Sequence, residues 1–490
     1  MPAHHPQARQ LEALRALLPP SEIFEPGQKE FKEQSSPWST HAELHPHLVV
    51  QPTSLSSLQK ATKFLYASTL DFAVRNTGTG SASARDVILS THSFKSFHFD
   101  PLAETVTLGA GCAWGDVDAA LEQQAPGFAV VGARCPWVGV TGSALVGGLS
   151  WLSHEFGLIS DPRNLLDVQV VLAQGRTLWA SAEPELLWAL RGGGGNFGVV
   201  TALKLQAHPY TDRIFSGFLV IPYTSLVACA RAVAAMAARS SDPKVAMHVV
   251  NQGPGIGMPD PGPKPGLAIL MYDARGEAHA RSAEAFKWAF ELDGAVEVGM
   301  GEMSLRRIHA LAETFRDFQG SNMFWLCAPL VAELDEGMLV RAWGWYEESV
   351  EACAGLGVGS TVLLEFMQEG AYGSSGSRAS TAWPHGEKDG KTGRRHVMQL
   401  VLGCRPEGAP EDIRDLVMQR FQLAGEQIAG AGKSLGEYHV GFLHEWNDVR
   451  EIYAENYDKL VLVKRKYDPE NRFNKSVDLV GGSVGERTNG

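Results

Sequence analysis

Residues 184–206 read PELLWALRGGGGNFGVVTALKLQ, and the order of patterns in that run decides which nucleotide fold the chain can adopt. Gly193-Gly194-Gly195-Asn196-Phe197-Gly198 fits the G-x-G-x-x-G spacing of a Rossmann fingerprint. In a Rossmann unit that loop follows a strand and opens a helix, whose N-terminus then meets the pyrophosphate. Here the order is reversed. Leu186–Arg191 has helical spacing, and Val199–Gln206 alternates as a strand does. The loop is therefore expected to bring backbone close to a ligand in a different fold. A Walker A loop fails as well, because Gly432-Lys433-Ser434 has Gln427 where the upstream glycine belongs.

Two more glycine-rich runs lie upstream. Arg75-Asn76-Thr77-Gly78-Thr79-Gly80-Ser81 leaves a short strand and ends in small hydroxyl residues. Successive backbone N–H groups in such a turn form an anion-binding nest, suited to a diphosphate. Residues 139–148, GVTGSALVGG, carry no bulky polar side chain and are expected to lie flat against a planar ligand. One such loop is usually a plain turn. Three between residues 75 and 198 favour a dinucleotide site.

Taken in order, these motifs resemble the FAD-binding lobe of the vanillyl-alcohol-oxidase superfamily, in its fungal-type, berberine-bridge-enzyme-like branch. RNTGTGS is similar to the family's R-N-T-G-H-D or R-S-G-G-H loop, and VVGARCPWVGVTGSALVGG to its C-P-x-V-G-x-x-G loop. FGLISDPRNLLDVQVVLAQGR and ELLWALRGGGGNFGVVT complete the lobe, and NYDKLVLVKRKYDPENRF resembles the closing motif. The likeness is strongest over 45–210 and 446–474 and weak over 216–445. It implies an α+β, two-lobed PCMH-type FAD-binding fold with a substrate domain of antiparallel sheet covered by helices. The expected divisions are a helical extension over 1–40, the FAD domain over 41–212, the substrate domain over 213–445, and a returning segment over 446–490.

The resemblance also implies roles. Arg75, Asn76, Thr77, Gly78, Thr79, Gly80 and Ser81 wrap the diphosphate. Val138, Gly139, Gly142, Ser143, Gly147 and Gly148 line the isoalloxazine and ribityl chain. Gly157, Leu158 and Asp161 continue that wall, Val200 meets the adenine end, and Asn456 and Asn471 reach over from the tail. Family members often carry a histidine bonded to the flavin in the first loop, where this chain has Thr79. A threonine hydroxyl is a poor nucleophile without an activating base, so no histidyl link is expected. Cys135 stands where the family forms a thioether, and Arg134 beside it predicts an electropositive, thiolate-friendly setting. A single covalent bond to FAD, through Cys135, is the expectation. Val138, three residues on, occupies the position that gates O2 in the family, where valine goes with oxidases and leucine with dehydrogenases.

The implied chemistry is oxidation of a small, secondary-metabolite-type alcohol, amine or C–H substrate, with O2 as acceptor. A base must take the leaving proton, and the candidates are Tyr453 and Tyr457 in the closing motif, with Glu365 and His396 on strand-like runs whose alternate side chains would face the ring. The rival is a redox-silent cyclase or isomerase with structural FAD, and behind it a non-catalytic binding protein. The net charge of −12 argues against nucleic acid or an anionic membrane as partner. The only N-terminal apolar stretch, Leu11–Leu18, is broken by Glu12 and Arg15, so a cytoplasmic protein is expected, monomeric or a weak homodimer. His41, His45 and His47 lack a carboxylate or cysteine at ligand spacing, so no metal site is read. His439 and His444 read as ordinary polar residues.

Among local elements, the patterns predict helices over Ser54–Ala67, Trp114–Gln123, Ser225–Arg239, Ala278–Phe290 and Pro410–Ala429. Gly253–Gly266 and Gly370–Gly393 read as long loops, the second long enough to suggest a lid.

Overall fold

The computed structural model describes residues 6–252, 266–373, 376–386, 395–430, 435, 437–443 and 446–481. Residues 253–265 and most of the expected lid after Ser380 lie outside that set. Three sheets organise the described residues.

The first is small and mostly parallel. Leu48–Val50, Val87–Ser90 and Phe72–Arg75 run side by side, with the helix Leu55–Ala67 as crossover. Ser54 caps that helix by accepting the Ser57 N–H, which satisfies one of its orphan donors. Both faces of the strands are covered, as parallel sheets require, and the run Leu48–Val50 is wholly buried. The strand Phe72–Arg75 delivers Arg75 at its end, at the mouth of the first glycine loop.

The second sheet is antiparallel and is centred on the long strand Val199–Pro209, flanked by Thr105–Gly109 and Leu165–Val171. Its strand follows the helix Pro184–Leu190 through residues 191–198, the reversed order that the sequence indicates. The tail returns here. Tyr457–Tyr467 packs against Pro184–Leu190, and its buried Lys464 donates to the carbonyls of Asn196 and Phe473 and to Asp468.

The third sheet has eight strands, all antiparallel to their neighbours, running 296–303, 214–221, 266–273, 245–252, 361–366, 396–404 and 323–327 in space, with Leu330–Val331 against 396–404. Side chains alternate between its faces. Val245, Met247, Val249, Val362, Leu364, Met398, Leu400 and Leu402 join the core formed with the helices Leu226–Arg239, Glu336–Ala352 and Ile413–Ala429. Each fully buried aliphatic side chain there contributes about 1.5–3 kcal/mol. The intervening residues Ala246, Met367 and Val397 belong instead to the core shared with the flavin-type lobe. That alternation puts His248, Glu365 and Gln399 on the face turned to the other lobe. The period of two in the strand is what aims them.

Some local expectations fail, each for a visible reason. Ala278–Phe290 is not one helix but two short turns, Glu277–Ala280 and Lys287–Phe290, interrupted at Arg281–Phe286. Pro410 lies outside the helix Ile413–Ala429; the first turn begins three residues later. Residues 139–148 do not lie flat, because Val140–Leu145 closes into a helix with Gly139 as N-cap. The helix Trp114–Gln124 is as read to within one residue.

Candidate active site

The first glycine loop is held from beneath by its own arginine. Arg75 is 3% exposed and donates from Nη2 to the carbonyls of Glu33 and Thr77. Its Nε and Nη1 have no acceptor, and no carboxylate among the described residues pairs with it. Burial pulls its pKa down to about 10. A buried, uncompensated guanidinium is unfavourable unless an anion meets it. Asn76 Oδ1 is likewise buried without a donor, while Asn76 Nδ2 donates to the Cys112 carbonyl. A side chain added at Gly80 or Gly142 would meet only open space, whereas one at Gly139 would strike Asn76 and one at Gly148 would strike Ile159. An uncompensated buried cation, an orphaned amide and two open glycine positions fit a bound dinucleotide diphosphate.

Other residues expected to line the cofactor serve the protein first. The Ser143 hydroxyl donates to the Gly139 carbonyl and accepts the Trp114 indole N–H. Asp161 accepts from the Leu158 N–H and from His385 Nε2, at 2.9 and 2.6 Å. Gly157, at φ 83°, turns the chain so that Ile159 and Ser160 bond back to Gly148 and Gly147. Leu158 and Val200 are buried. Thr77 and Thr79 hydroxyls face each other at 3.1 Å.

Cys135 sits differently from its sequence expectation. The positive charge of Arg134 is opposed by Glu365, to which that guanidinium is bound through two N–H donors, Nη1 to Oε2 and Nη2 to Oε1, the latter at 2.7 Å. Burial pushes the Cys135 thiol up to about 11, against the pull of Arg134. The cysteine is a thiol in this setting, not a ready thiolate.

Arg134 is the hinge of the site. Its Nη1 also donates to His248 Nε2 at 2.9 Å, and Gln399 Nε2 donates to Glu365 Oε1. One residue from the cofactor loop thus meets His248 and Glu365, and Gln399 joins them through Glu365, on three adjacent strands. Glu365 is fully buried. Its Oε1 accepts two donors and its Oε2 only one, so Oε2 keeps a free lone pair. His396, by its register opposite Phe366, lies on the sheet's other face and accepts the Met367 N–H. The sequence brings Glu365 to this point and not His396.

Around this centre lie groups that pattern reading passed over. Burial holds the pKa of His154 and of His439 down at about 3 and drives that of His248 well below the usual value. All three rings are therefore neutral near pH 7. Backbone N–H groups of Gln368 and Gly441 occupy Nδ1 of His154 and His439, leaving the ring proton on Nε2 in each. The His439 Nε2–H has no acceptor and lies against Gly147 beside Trp383. The Tyr372 hydroxyl is also buried without a partner, close enough to Glu365 to feel its charge. Neither residue lies in a motif that spacing alone could find.

The tail phenols take other duties. Tyr453 donates to the Gly192 carbonyl and Tyr457 to the Leu479 carbonyl, at 3.1 and 3.0 Å. Asn456 ties down Arg378, Thr381 and Ala382 through their carbonyls. Asn471, at φ 49°, donates to Asp478. These four fasten the returning segment.

Comparison with known proteins agrees with this geometry. Residues 46–181 match an FAD binding domain model, and residues 430–477 match a berberine and berberine-like model. An uncharacterized FAD-linked oxidoreductase of Arthroderma benhamiae is 30% identical over 254 residues, half of each chain. The (R)-6-hydroxynicotine oxidase of Paenarthrobacter nicotinovorans is 26% identical across 94% of this chain and 96% of its own. A glycine-to-alanine variant of berberine bridge enzyme, described as a reticuline dehydrogenase, superposes with a TM-score of 0.75 at 16% identity, over 95% of this chain and 97% of that one. No helix among the described residues is long and apolar enough to cross a membrane.

Proposed function

We propose, on the premise that this chain belongs to the berberine-bridge-like FAD-linked oxidoreductases, that it oxidises a small organic substrate with Glu365 as proton acceptor. The supporting observation is the convergence of Arg134, Glu365, His248 and Gln399 where the two lobes meet. FAD, held by the Arg75–Ser81 loop and the 135–148 run, supplies the two-electron acceptor. Arg134 and Gln399 fix the Glu365 carboxylate so that its free lone pair on Oε2 takes the proton lost by the substrate. Tyr372 O–H and His439 Nε2–H are buried donors for a substrate oxygen or nitrogen. Trp383, packed against Tyr372, His385 and His439, keeps water out. Mixing with substrate under nitrogen is expected to bleach a yellow protein carrying about one FAD per chain. A redox-silent isomerase would leave it yellow.

The acceptor is proposed to be O2, through Val138. Its side chain is one methylene shorter than leucine and is only half-buried, against the core beside Cys135. A second reading has its own support. The alanine of the reticuline dehydrogenase variant stands two residues before the cysteine replaced in another variant of that enzyme, and here Ala133 stands two before Cys135. Val138→Leu is expected to slow aerobic reoxidation, and Ala133→Gly to speed it. If reduced wild-type protein persists in air for minutes, the dehydrogenase reading prevails.

For the linkage we propose at most one covalent bond, at Cys135. Because its thiol stays protonated near neutrality, attachment is expected to quicken as pH rises from 7 to 9. Acid-denatured protein should carry flavin on the Cys135 peptide alone, and Cys135→Ala should release all of it. Flavin found on a peptide containing Thr79 would contradict this.

A further inference from the structure

Segment 36–44 crosses the molecule between three parts that are remote in sequence. On one side the Trp38 N–H bonds to the Gly78 carbonyl at 3.1 Å, and the Ser39 N–H to the Ser81 hydroxyl at 3.2 Å. Leu44 N–H reaches the Ser83 hydroxyl at 3.0 Å. On the other side Thr40 N–H bonds to the Asn322 carbonyl, Gly320 N–H to the Trp38 carbonyl, and Phe324 N–H to Ser39 Oγ at 2.7 Å. His41 stacks on Trp325 at 4.7 Å. The Trp38 ring stacks on Trp137 of the Cys135–Val138 run, with centroids 5.6 Å apart and planes 8° from parallel.

The two anchor points on the first loop bracket two residues, Thr79 and Gly80. Gly78 and Ser81 stand on either side of Thr79 and Gly80, and both have positive φ, 83° and 55°. Thr79 is the position at which a histidyl bond would pin cofactor and loop together. Without such a bond, an isolated glycine turn of this kind opens readily, because few contacts oppose it. Here the strap closes both flanks, and ties them to the edge strand Met323–Cys327 of the substrate sheet. From below, Arg75 bonds to the Glu33 carbonyl, on the helix that leads into the strap.

We propose that segment 36–44 is a non-covalent clasp for the FAD, holding shut the loop at Thr79 that carries no histidine. The proposal rests on the reading that FAD lies along the 75–81 and 135–148 runs. Trp38 is its principal residue, acting on the cofactor through Trp137 and Gly78. Loss of a stacked aromatic pair and its burial corresponds to about tenfold in an equilibrium.

The test uses full-length holoprotein in a Cys135→Ala background, where no covalent bond can contribute, and follows recovery of free FAD fluorescence after dilution. Trp38→Ala is expected to release FAD about tenfold faster, Trp38→Phe to restore most of the retention, and Ser39→Ala to accelerate release a few-fold. Thermal melts of the apoproteins separate cofactor loss from unfolding, and Ser39→Ala decides the matter if Trp38→Ala fails to fold. Release at the rate of the Cys135→Ala parent in Trp38→Ala, or in Ser39→Ala when it alone folds, would overturn the clasp. If the Cys135→Ala protein itself takes up no FAD, the cofactor reading falls, and the clasp with it.

Discussion

Turnover of the Glu365→Gln protein is expected to fall by about 10²–10⁴-fold, the range for loss of a general base, with FAD still bound. Glutamine keeps a carbonyl for Arg134 to donate to, but cannot accept a proton at neutral pH. The substitution also leaves the nearly buried Arg134 without its counter-charge, and breaking such a pair destabilises by about 3–5 kcal/mol. A lowered melting temperature is therefore expected alongside the kinetic loss. The double variant Arg134→Met, Glu365→Leu separates the two effects, since apolar replacement of a whole buried pair is often neutral or stabilising. It should melt close to the wild type and remain inactive. Turnover of Glu365→Gln within tenfold of wild type, measured on FAD-replete protein, would remove Glu365 from the role of base.

Acid should destabilise this protein well before its carboxylates titrate. His154, His248 and His439 are buried, and each has its folded-state pKa held far below the unfolded value of about 6.5. The cause in each case is first desolvation; Arg134 adds to it for all three. With the folded pKa lowered, protons bind the unfolded chain more tightly. Stability is therefore complete above about pH 6.5 and is lost as pH falls from there towards 3. At pH 5 the loss is about 2 kcal/mol each for His154 and His439, with His248 acting in the same direction, against a total of order 5–15 kcal/mol for a domain. Melting temperatures recorded from pH 7.5 to 5 should fall steeply below 6.5. His154→Gln should flatten that fall, and an equally steep curve in this variant would show that other groups are responsible.

Much of the candidate site was legible because glycine loops are local. A turn that needs positive φ at Gly78, Gly147, Gly148 and Gly157 can be read from four residues, without knowing what packs on them. The reversed helix–loop–strand order at 184–206 is likewise a property of neighbours in sequence. Glu365 emerged as a candidate from its place in a run of alternating residues. His396 emerged by the same reasoning and belongs to the opposite face, because a shift of one residue in register exchanges the two sides of a strand. The charge environment of Cys135, by contrast, is not legible from its neighbours in sequence. The neighbour in sequence, Arg134, answers to Glu365, more than two hundred residues away.

By itself, then, the sequence determined the glycine-loop lobe, its resemblance to an FAD-binding family and the threonine at position 79 where that family often has histidine, all of which depend on residues within a few positions of one another. Only the tertiary structure decided which face of the substrate sheet looks at that lobe, and that His248, Gln399, Tyr372 and His439 gather there. It alone showed that segment 36–44 bonds to Gly78 and Ser81, on either side of Thr79. The physical reason is that electrostatics and burial depend on distance through space. A buried arginine meets its carboxylate, and a buried imidazole stays neutral, only once the strands that carry them have paired.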